Sequence, residues 1–330
     1  PDPTVSASIY ANNRLDDVIR GAIAPFRADM ARRGGWSLWM VRYARGGAHL
    51  KVRLHGPAAE RHEVAALLAE HVERCLAAMP EDDGPRLTRP KGVPVDPEDE
   101  FEGDYPDRTL LWTRYRRSGV SLGPDAALRE DDGYVAHLVT CLAAAADLVI
   151  DALAHGDAAP SESARLKILL GAMVSGLTAL GFTDEERAAY LAFHRDWMLR
   201  FALPDRDREA AVLARYDDRV RAIAPVVEQV IANVERWDAD PRAAAVSEAE
   251  ARWRDVLRTF FDWLRPLRDD PRHPAGPFTQ DPAFSPLFKV FHGLGNQLGL
   301  DMLNEGLVQH ILLRALTGVP AAGSPVLVEA

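Results

Sequence analysis

The sequence predicts an α+β protein, a small mostly antiparallel sheet near the N-terminus packed with a large helical region. Three observations carry that prediction. Trp36 to Leu54 reads as two short strands joined by a tight turn at Gly46-Gly47. Thr4 to Ala11 and Leu110 to Val120 have strand character as well. From about Asp131 the pattern changes to helix and stays there. Strands gathered first and helices after them make an α+β order, not alternating βαβ units. The 330 residues are read as one domain, 1–330, with a sheet-containing part over 1–125 and a helical part over 126–330. No internal repeat of solenoid length is present.

Thr4 to Ala11 is the first strand. Arg14 to Arg33 places Leu15, Val18, Ile19, Ala22, Ile23, Phe26 and Met30 at helical spacing. Asn13 is its candidate cap, and Gly34-Gly35 ends it. In the strand pair, Trp36, Leu38, Met40 and Arg42 alternate with Ser37, Trp39, Val41 and Tyr43. Arg42 and Tyr43 therefore point to opposite faces. In the second strand, His49, Lys51 and Arg53 share one face and Leu50, Val52 and Leu54 the other. The leucine face is core. Cations in a row repel one another. That face is either solvated or set against a carboxylate, a peptide backbone or a leaving group. Tyr43 is either a half-buried aromatic or a neutral hydrogen-bond donor.

Pro57 opens a helix that runs to about Ala78, with Val64, Leu67, Leu68, Val72 and Leu76 on its apolar face. Pro80 to Asp107 is rich in proline and acid, the mark of a linker or of a functional segment. In the strand from Leu110, Trp112, Arg114, Arg116 and Ser118 share one face, and Thr113, Tyr115 and Arg117 the other. Helices follow at Tyr134–Leu153, Ser161–Leu180, Asp184–Phe201, Arg208–Trp237, Ser247–Leu264, Pro286–Asn296 and Leu298–Leu316. Thr183 with Glu186, and Ser247 with Glu250, make capping boxes.

Composition excludes several functions. A formal charge of −10 argues against a general nucleic-acid binder. No uninterrupted apolar run approaches the ~20 residues of a membrane span. No signal peptide is visible, so a cytoplasmic protein is expected. Cys75 and Cys141 sit in apolar helical stretches and read as buried thiols. There is no G-x-G-x-x-G, P-loop lysine motif, G-x-S-x-G, H-E-x-x-H or paired C-x-x-C. No metal and no cofactor are expected. What remains is acid–base and positioning chemistry by scattered residues.

One constellation lies near the C-terminus, in SPLFKVFHGLGNQLGL from Ser285 to Leu300. His292 and Asn296 are four residues apart, on one helical face, and can act on one ligand. Gly293, Gly295 and Gly299 thin the backbone around them, although glycine weakens a helix by up to ~1 kcal/mol each. Packing alone does not account for three glycines beside a histidine. Tyr190, His194 and Trp197 also share a helical face, which reads as an aromatic core stripe. His62, His71, His137 and His155 read as surface or helix-face residues without partners.

The strand pair, as R-Y-x-x-G-G-x-H-L-K-x-R, resembles the opening of the elimination domain of lantibiotic dehydratases, which also occurs as a stand-alone protein in thiopeptide biosynthesis. The C-terminal stretch is similar to that family's closing motif, a His, then Asn four residues on, a basic or polar residue and Leu-Gly. Here these are His292, Asn296, Gln297, Leu298 and Gly299. The resemblance covers nearly the whole chain. It departs at YRRSGVSLG, Tyr115 to Gly123, where the eliminases carry R-Y-G-G, and at Gln297, where they more often carry Arg. The departed form is similar to the thiopeptide pyridine synthases.

The resemblance implies a pyridine synthase that joins two dehydroalanines of a ribosomally made peptide and expels water and the leader. Glutamate elimination and non-catalytic leader recognition are the alternatives. It implies His292, Tyr115, Gln297 and Ser118 as catalytic residues. Arg53, Lys51, His49, Arg42, Asn296 and Arg116 are the substrate-binding candidates. The expected partner is the precursor peptide, leader and dehydrated core together. A homodimer is left open, and neither nucleic acid nor membrane is expected. The first strand is a candidate sheet edge for the leader.

Overall fold

The computed structural model describes residues 4–43, 48–80, 106–113, 131–154, 160–203, 207–239, 247–268 and 281–318. Four strands form an antiparallel sheet in the order β2-β3-β1-β4, with β1 Thr4–Tyr10, β2 Ser37–Tyr43, β3 His49–His55 and β4 Thr109–Thr113. The chain is α+β, as its element order predicts. The Gly46-Gly47 turn, nearly all of the Pro80–Asp107 segment and the stretch 114–130 lie outside the described residues.

The register makes the sheet two-faced. Val5, Ala7 and Ile9 lie opposite Leu54, Val52 and Leu50, which lie opposite Leu38, Met40 and Arg42. This face joins one apolar cluster with Val64, Leu68 and Val72 of α3 (Arg61–Ala78) and with Ile19, Ile23 and Phe26. The other face is polar yet covered. His49 is 4% exposed and Arg53 8%, so the solvated alternative for the cation row does not hold. Aromatic rings are set among the cations instead. Tyr43 stacks on His49 at 5.5 Å, Tyr10 lies 4.5 Å from His49, and the Lys51 ammonium sits 4.3 Å from the Tyr43 ring centre. Ring faces attract cations and offset their mutual repulsion.

β1 is paired on both sides, with β3 and with β4. It is therefore a central strand, and the expectation that it offers an edge is corrected. Asn13 is corrected too. It lies inside a single tight turn, Asn12–Arg14, and no side chain caps the helix that follows. That helix is α1 (Leu15–Val18) and α2 (Ala24–Arg33), joined by a π-helical segment over Ile19–Ile23. Gly21 in this segment faces Cys75, whose sulfur would lie 2.8 Å from an added Cβ. Cys75 is only partly buried, whereas Cys141 is buried as expected. His71 is not partnerless: its Nε2 lies 2.8 Å from Asp29 Oδ2. His137 packs 5.5 Å from the Trp263 ring.

Among the described residues, seven helices follow β4. They are α4 (Asp132–Ala154), α5 (Glu162–Ala179), α6 (Asp184–Ala202), α7 (Asp207–Ala239), α8 (Glu248–Arg268), α9 (Phe284–Leu298) and α10 (Met302–Thr317). Both capping boxes form, Thr183 with Glu186 and Ser247 with Glu250. By length and composition α4 could cross a membrane, but 67% of its most apolar window is buried against the rest of the chain. It runs between α8, α9 and β2 as a core helix. The helix expected from Leu298 begins only at Met302. Gly299 adopts a left-handed conformation at φ +78°, ending α9, and Asp301 then caps α10 by accepting from the Asn304 N–H at 2.7 Å.

An ionic knot joins these parts. Asp16 of α1 accepts from Arg42 of β2 at 2.6 Å and from Arg165 of α5. Arg42 Nε also donates to the Gln297 carbonyl at 2.8 Å, and Arg165 donates to the Leu298 carbonyl. Both cations thus sit at the C-terminal end of α9, where the helix dipole favours positive charge. A side chain at Gly299 would come within 3.0 Å of Arg42 and 3.2 Å of Arg165. Burial works to raise the Asp16 carboxyl, but Arg165 and Arg42 outweigh it and hold its pKa below the usual value.

Asp16→Asn should cost about 3 kcal/mol, the low end for breaking a buried ion pair. The sign with pH follows from the depressed folded-state pKa. The contribution of Asp16 is complete above the unfolded carboxylate value of about 3.9 and is lost as pH falls through the lower folded value. Urea melts of both proteins over a pH series will read this. A gap between them that stays constant to about pH 2 would exclude the charged knot as its cause.

Candidate acid–base site

Most of α9 is buried, which follows from its sequence. Phe284, Leu287, Val290, Phe291, Leu294 and Leu298 fill the core. Lys289, His292, Gly293 and Asn296 remain on one stripe that reaches the surface. Their spacing of three and four residues is that of one helical face.

His292 is the histidine of the stripe. Its Nδ1 lies 2.9 Å from Oε2 of Glu305, one turn into α10. The Glu305 side chain is 1% exposed and that of His292 is 32% exposed. Gly295 makes the approach feasible, since a Cβ there would stand 2.5 Å from the Glu305 carboxyl carbon. Burial pulls the His292 imidazole down, but the Glu305 carboxylate outweighs it and leaves its pKa raised. Burial raises the Glu305 pKa, against the pull of His292. A buried carboxylate is costly unless it is paired, and here its side-chain partner is a histidine that reaches solvent.

Behind the pair, on α6, the Tyr190 hydroxyl lies 3.2 Å from His194 Nδ1. Both side chains are wholly buried. Burial and then the nearby His292 hold the His194 pKa well below its usual value. Burial keeps the Tyr190 phenol well above its own. Both are therefore neutral. They belong to an aromatic core with Phe284, Phe288 and Phe291, as their helical spacing predicts. The rings continue outward. Phe288 stacks 5.5 Å from His292 and lies tilted 4.5 Å from Trp197, which stacks 4.0 Å from Phe201. Phe201 is 42% exposed, so an aromatic path runs from the surface to the histidine.

The other candidate residues divide into groups. Asn296 and Arg42 are brought together directly. The Asn296 amide accepts from the Arg42 N–H at 2.7 Å and donates to the Arg42 carbonyl at 3.1 Å. Gln297 turns the other way, 1% exposed, with Nε2 at 3.4 Å from the Leu142 carbonyl of α4. Among the described residues its Oε1 has no hydrogen-bond partner. His49, Lys51 and Arg53 occupy the sheet face opposite to that of Arg42. Tyr115, Arg116 and Ser118 lie outside the described residues. Among the described residues, no cluster of three or more His, Cys, Asp or Glu is placed to hold a metal ion.

Sequence reasoning missed Glu305. The signal was an acid three and seven residues before Val308 and Leu312, at a position that helical spacing turns inward. It missed Lys289 as well, whose ammonium lies 3.4 Å from the buried Tyr134 hydroxyl.

Residues 5–316 match the family model described as the C-terminal part of lantibiotic biosynthesis dehydratases. No curated protein sequence matches the chain. Among solved structures, the pyridine synthase TbtD from thiomuracin biosynthesis is similar in fold, with a TM-score of 0.66 at 18% identity. The likeness covers 96% of this chain and 99% of that one. TsrL matches with a TM-score of 0.59 at 15% identity, over 96% of each chain.

Gly295→Ala should lower stability by about 1–3 kcal/mol, the usual effect of overpacking. It should also move Glu305 away from His292, which the His292 ring resonances will report. Unchanged resonances in a folded variant would show that the glycine is not what admits the carboxylate.

Proposed function

The chain belongs to the lantibiotic biosynthesis dehydratase C-terminal family, and on that premise we propose that it is a pyridine synthase acting on a ribosomally made, dehydrated peptide. The single observation that carries the reading is His292, a charge-paired imidazole at the surface end of a buried acid–base cluster, set in the closing motif Asn296, Gln297, Leu298, Gly299. The departure from R-Y-G-G at Tyr115–Gly123 and the glutamine at 297 support synthase over eliminase.

The reaction joins two dehydroalanines. In its iminol form, the amide preceding the first one supplies C=C–N=C(OH), and the second supplies C=C. Two carbon–carbon bonds form and close a six-membered ring. The hydroxyl leaves with a proton from one ring CH2, as water. The leader leaves with a proton from the other, as its amide. Three ring double bonds result, and no oxidant or reductant is needed. Holding the two alkenes at reacting distance supplies much of the rate. The proton transfers need one group that gives and takes a proton near neutral pH. His292 is that group. Tyr115 and Ser118 are its proposed companions, whereas Gln297, expected from the resemblance to act beside it, is buried against Leu142 of α4 and faces away from His292. Arg116, together with His49, Lys51 and Arg53 of β3, is proposed to hold the peptide, while Arg42 and Asn296 are bound to each other and fix the helix that carries His292.

A synthetic leader peptide carrying two dehydroalanines, incubated with the protein and followed by mass spectrometry, tests the reading. Loss of leader amide plus water supports it. Turnover of only a glutamylated peptide would assign elimination instead, and binding without change would assign recognition. His292→Ala should slow turnover by about a hundred- to ten-thousandfold, the range for one general acid–base group, with leader binding kept. An unchanged rate would leave positioning as the source of catalysis. Turnover should also survive exhaustive chelation and gel filtration. Activity lost and restored by a divalent ion would overturn the cofactor-free mechanism.

A further inference from the structure

We propose that Glu305 is a positioning residue that fixes Nδ1 of His292 inward, so that Nε2 is the nitrogen exchanging protons with the peptide. This rests on the reading that His292 acts on substrate. Three features carry it. The Nδ1 to Oε2 separation of 2.9 Å is that of a charge-assisted hydrogen bond. The carboxylate is 1% exposed, so it acts on the ring from the protein side while the ring reaches solvent. The room it occupies exists because α9 carries glycine at 295.

The surrounding groups leave Glu305 as the charge that governs this ring. From α6, His194 and Tyr190 face the pair and are kept neutral by burial. On α9 itself, Lys289 is drawn to Tyr134 of α4. From β2, Arg42 is bound to Asp16. At the start of α10, Asp301 is occupied as the helix cap and acts on Glu305 in the same sense as burial. A carboxylate on one ring nitrogen selects the tautomer and orients the ring. It also keeps the proton on His292 to higher pH, consistent with the raised imidazole pKa. An imidazolium is then available to protonate the departing hydroxyl or leader nitrogen, and the imidazole it leaves can take the ring CH2 proton.

The test has two arms. In the wild-type protein, nitrogen-15 histidine spectra should show neutral His292 as the Nδ1–H tautomer, the rarer form in free histidine. The Nε2–H tautomer would overturn the proposal without any variant being made. In the second arm, Glu305→Gln should lower the His292 pKa by about one unit or more, the usual effect of removing an adjacent opposite charge. The pH profile of single-turnover cyclisation should move to lower pH with it. kcat should fall about tenfold or more while KM stays within about twofold, and Glu305→Asp should recover part of the loss. A Glu305→Gln profile superimposable on wild type would make the residue merely structural. If wild type does not cyclise the peptide at all, the reading of function fails, while the histidine titration still decides the pairing.

Discussion

The Asp16 carboxylate accepts from Arg42 and Arg165, and both guanidiniums also bind the last carbonyls of α9. Four elements from distant parts of the sequence meet there: α1, β2, α5 and α9. Asp16 and Arg165 are 149 residues apart, and Arg42 and Gln297 are 255 apart. Two cations against one carboxylate would leave a charge to be satisfied. The carbonyl ends of α9 supply the remaining acceptors, and the helix dipole adds to the attraction. The stripe of α9 is thereby fixed relative to the sheet. The placement of His292, one turn before Asn296, depends on it.

The site itself rests on an opposite kind of balance. Tyr190, His194 and Glu305 lie in an aromatic core where charge is expensive. Two of them meet this by staying neutral. Glu305 meets it by facing His292, an imidazole that reaches water. The cluster therefore has an outlet for protons at His292, at the edge of a wall of rings formed by Phe288, Trp197 and Phe201. Rigid aromatic neighbours also limit how far the His292 ring can turn.

The sequence announced what depends on local spacing. Strand alternation located β1 to β4, and both capping boxes formed where Thr183 and Ser247 stand three residues before an acid. Helical periodicity found nearly every helix. It separated α9 from α10 but started the second helix at Leu298, where the left-handed Gly299 ends α9 and Asp301 caps α10 only from Met302. It also failed wherever the partner is remote. Alternation put His49, Lys51 and Arg53 on one face but could not say that the face would be covered. Nothing local to β1 reveals that β3 and β4 flank it. Asp16 reads as an ordinary acid in a helix's first turn, and Glu305 as another acid in a first turn, between Asn304 and Gly306. His292 and Asn296 were legible because their glycine setting is unusual in a helix. The pairing of each, with Glu305 and with Arg42, was not.

The contact between Asn296 and Arg42 has a consequence for the open side of the sheet. A β-strand at the margin of a sheet exposes amide groups that invite another chain to pair with it. At Arg42 both backbone groups are already taken by a side chain that imitates a neighbouring strand and then stops. An amide side chain cannot propagate a ladder. The sheet is therefore terminated there by one residue, and a stray strand would have to displace Asn296 before it could add. One asparagine thus takes up the strand's outward amide and carbonyl at the place where the sheet meets the helix bearing the histidine.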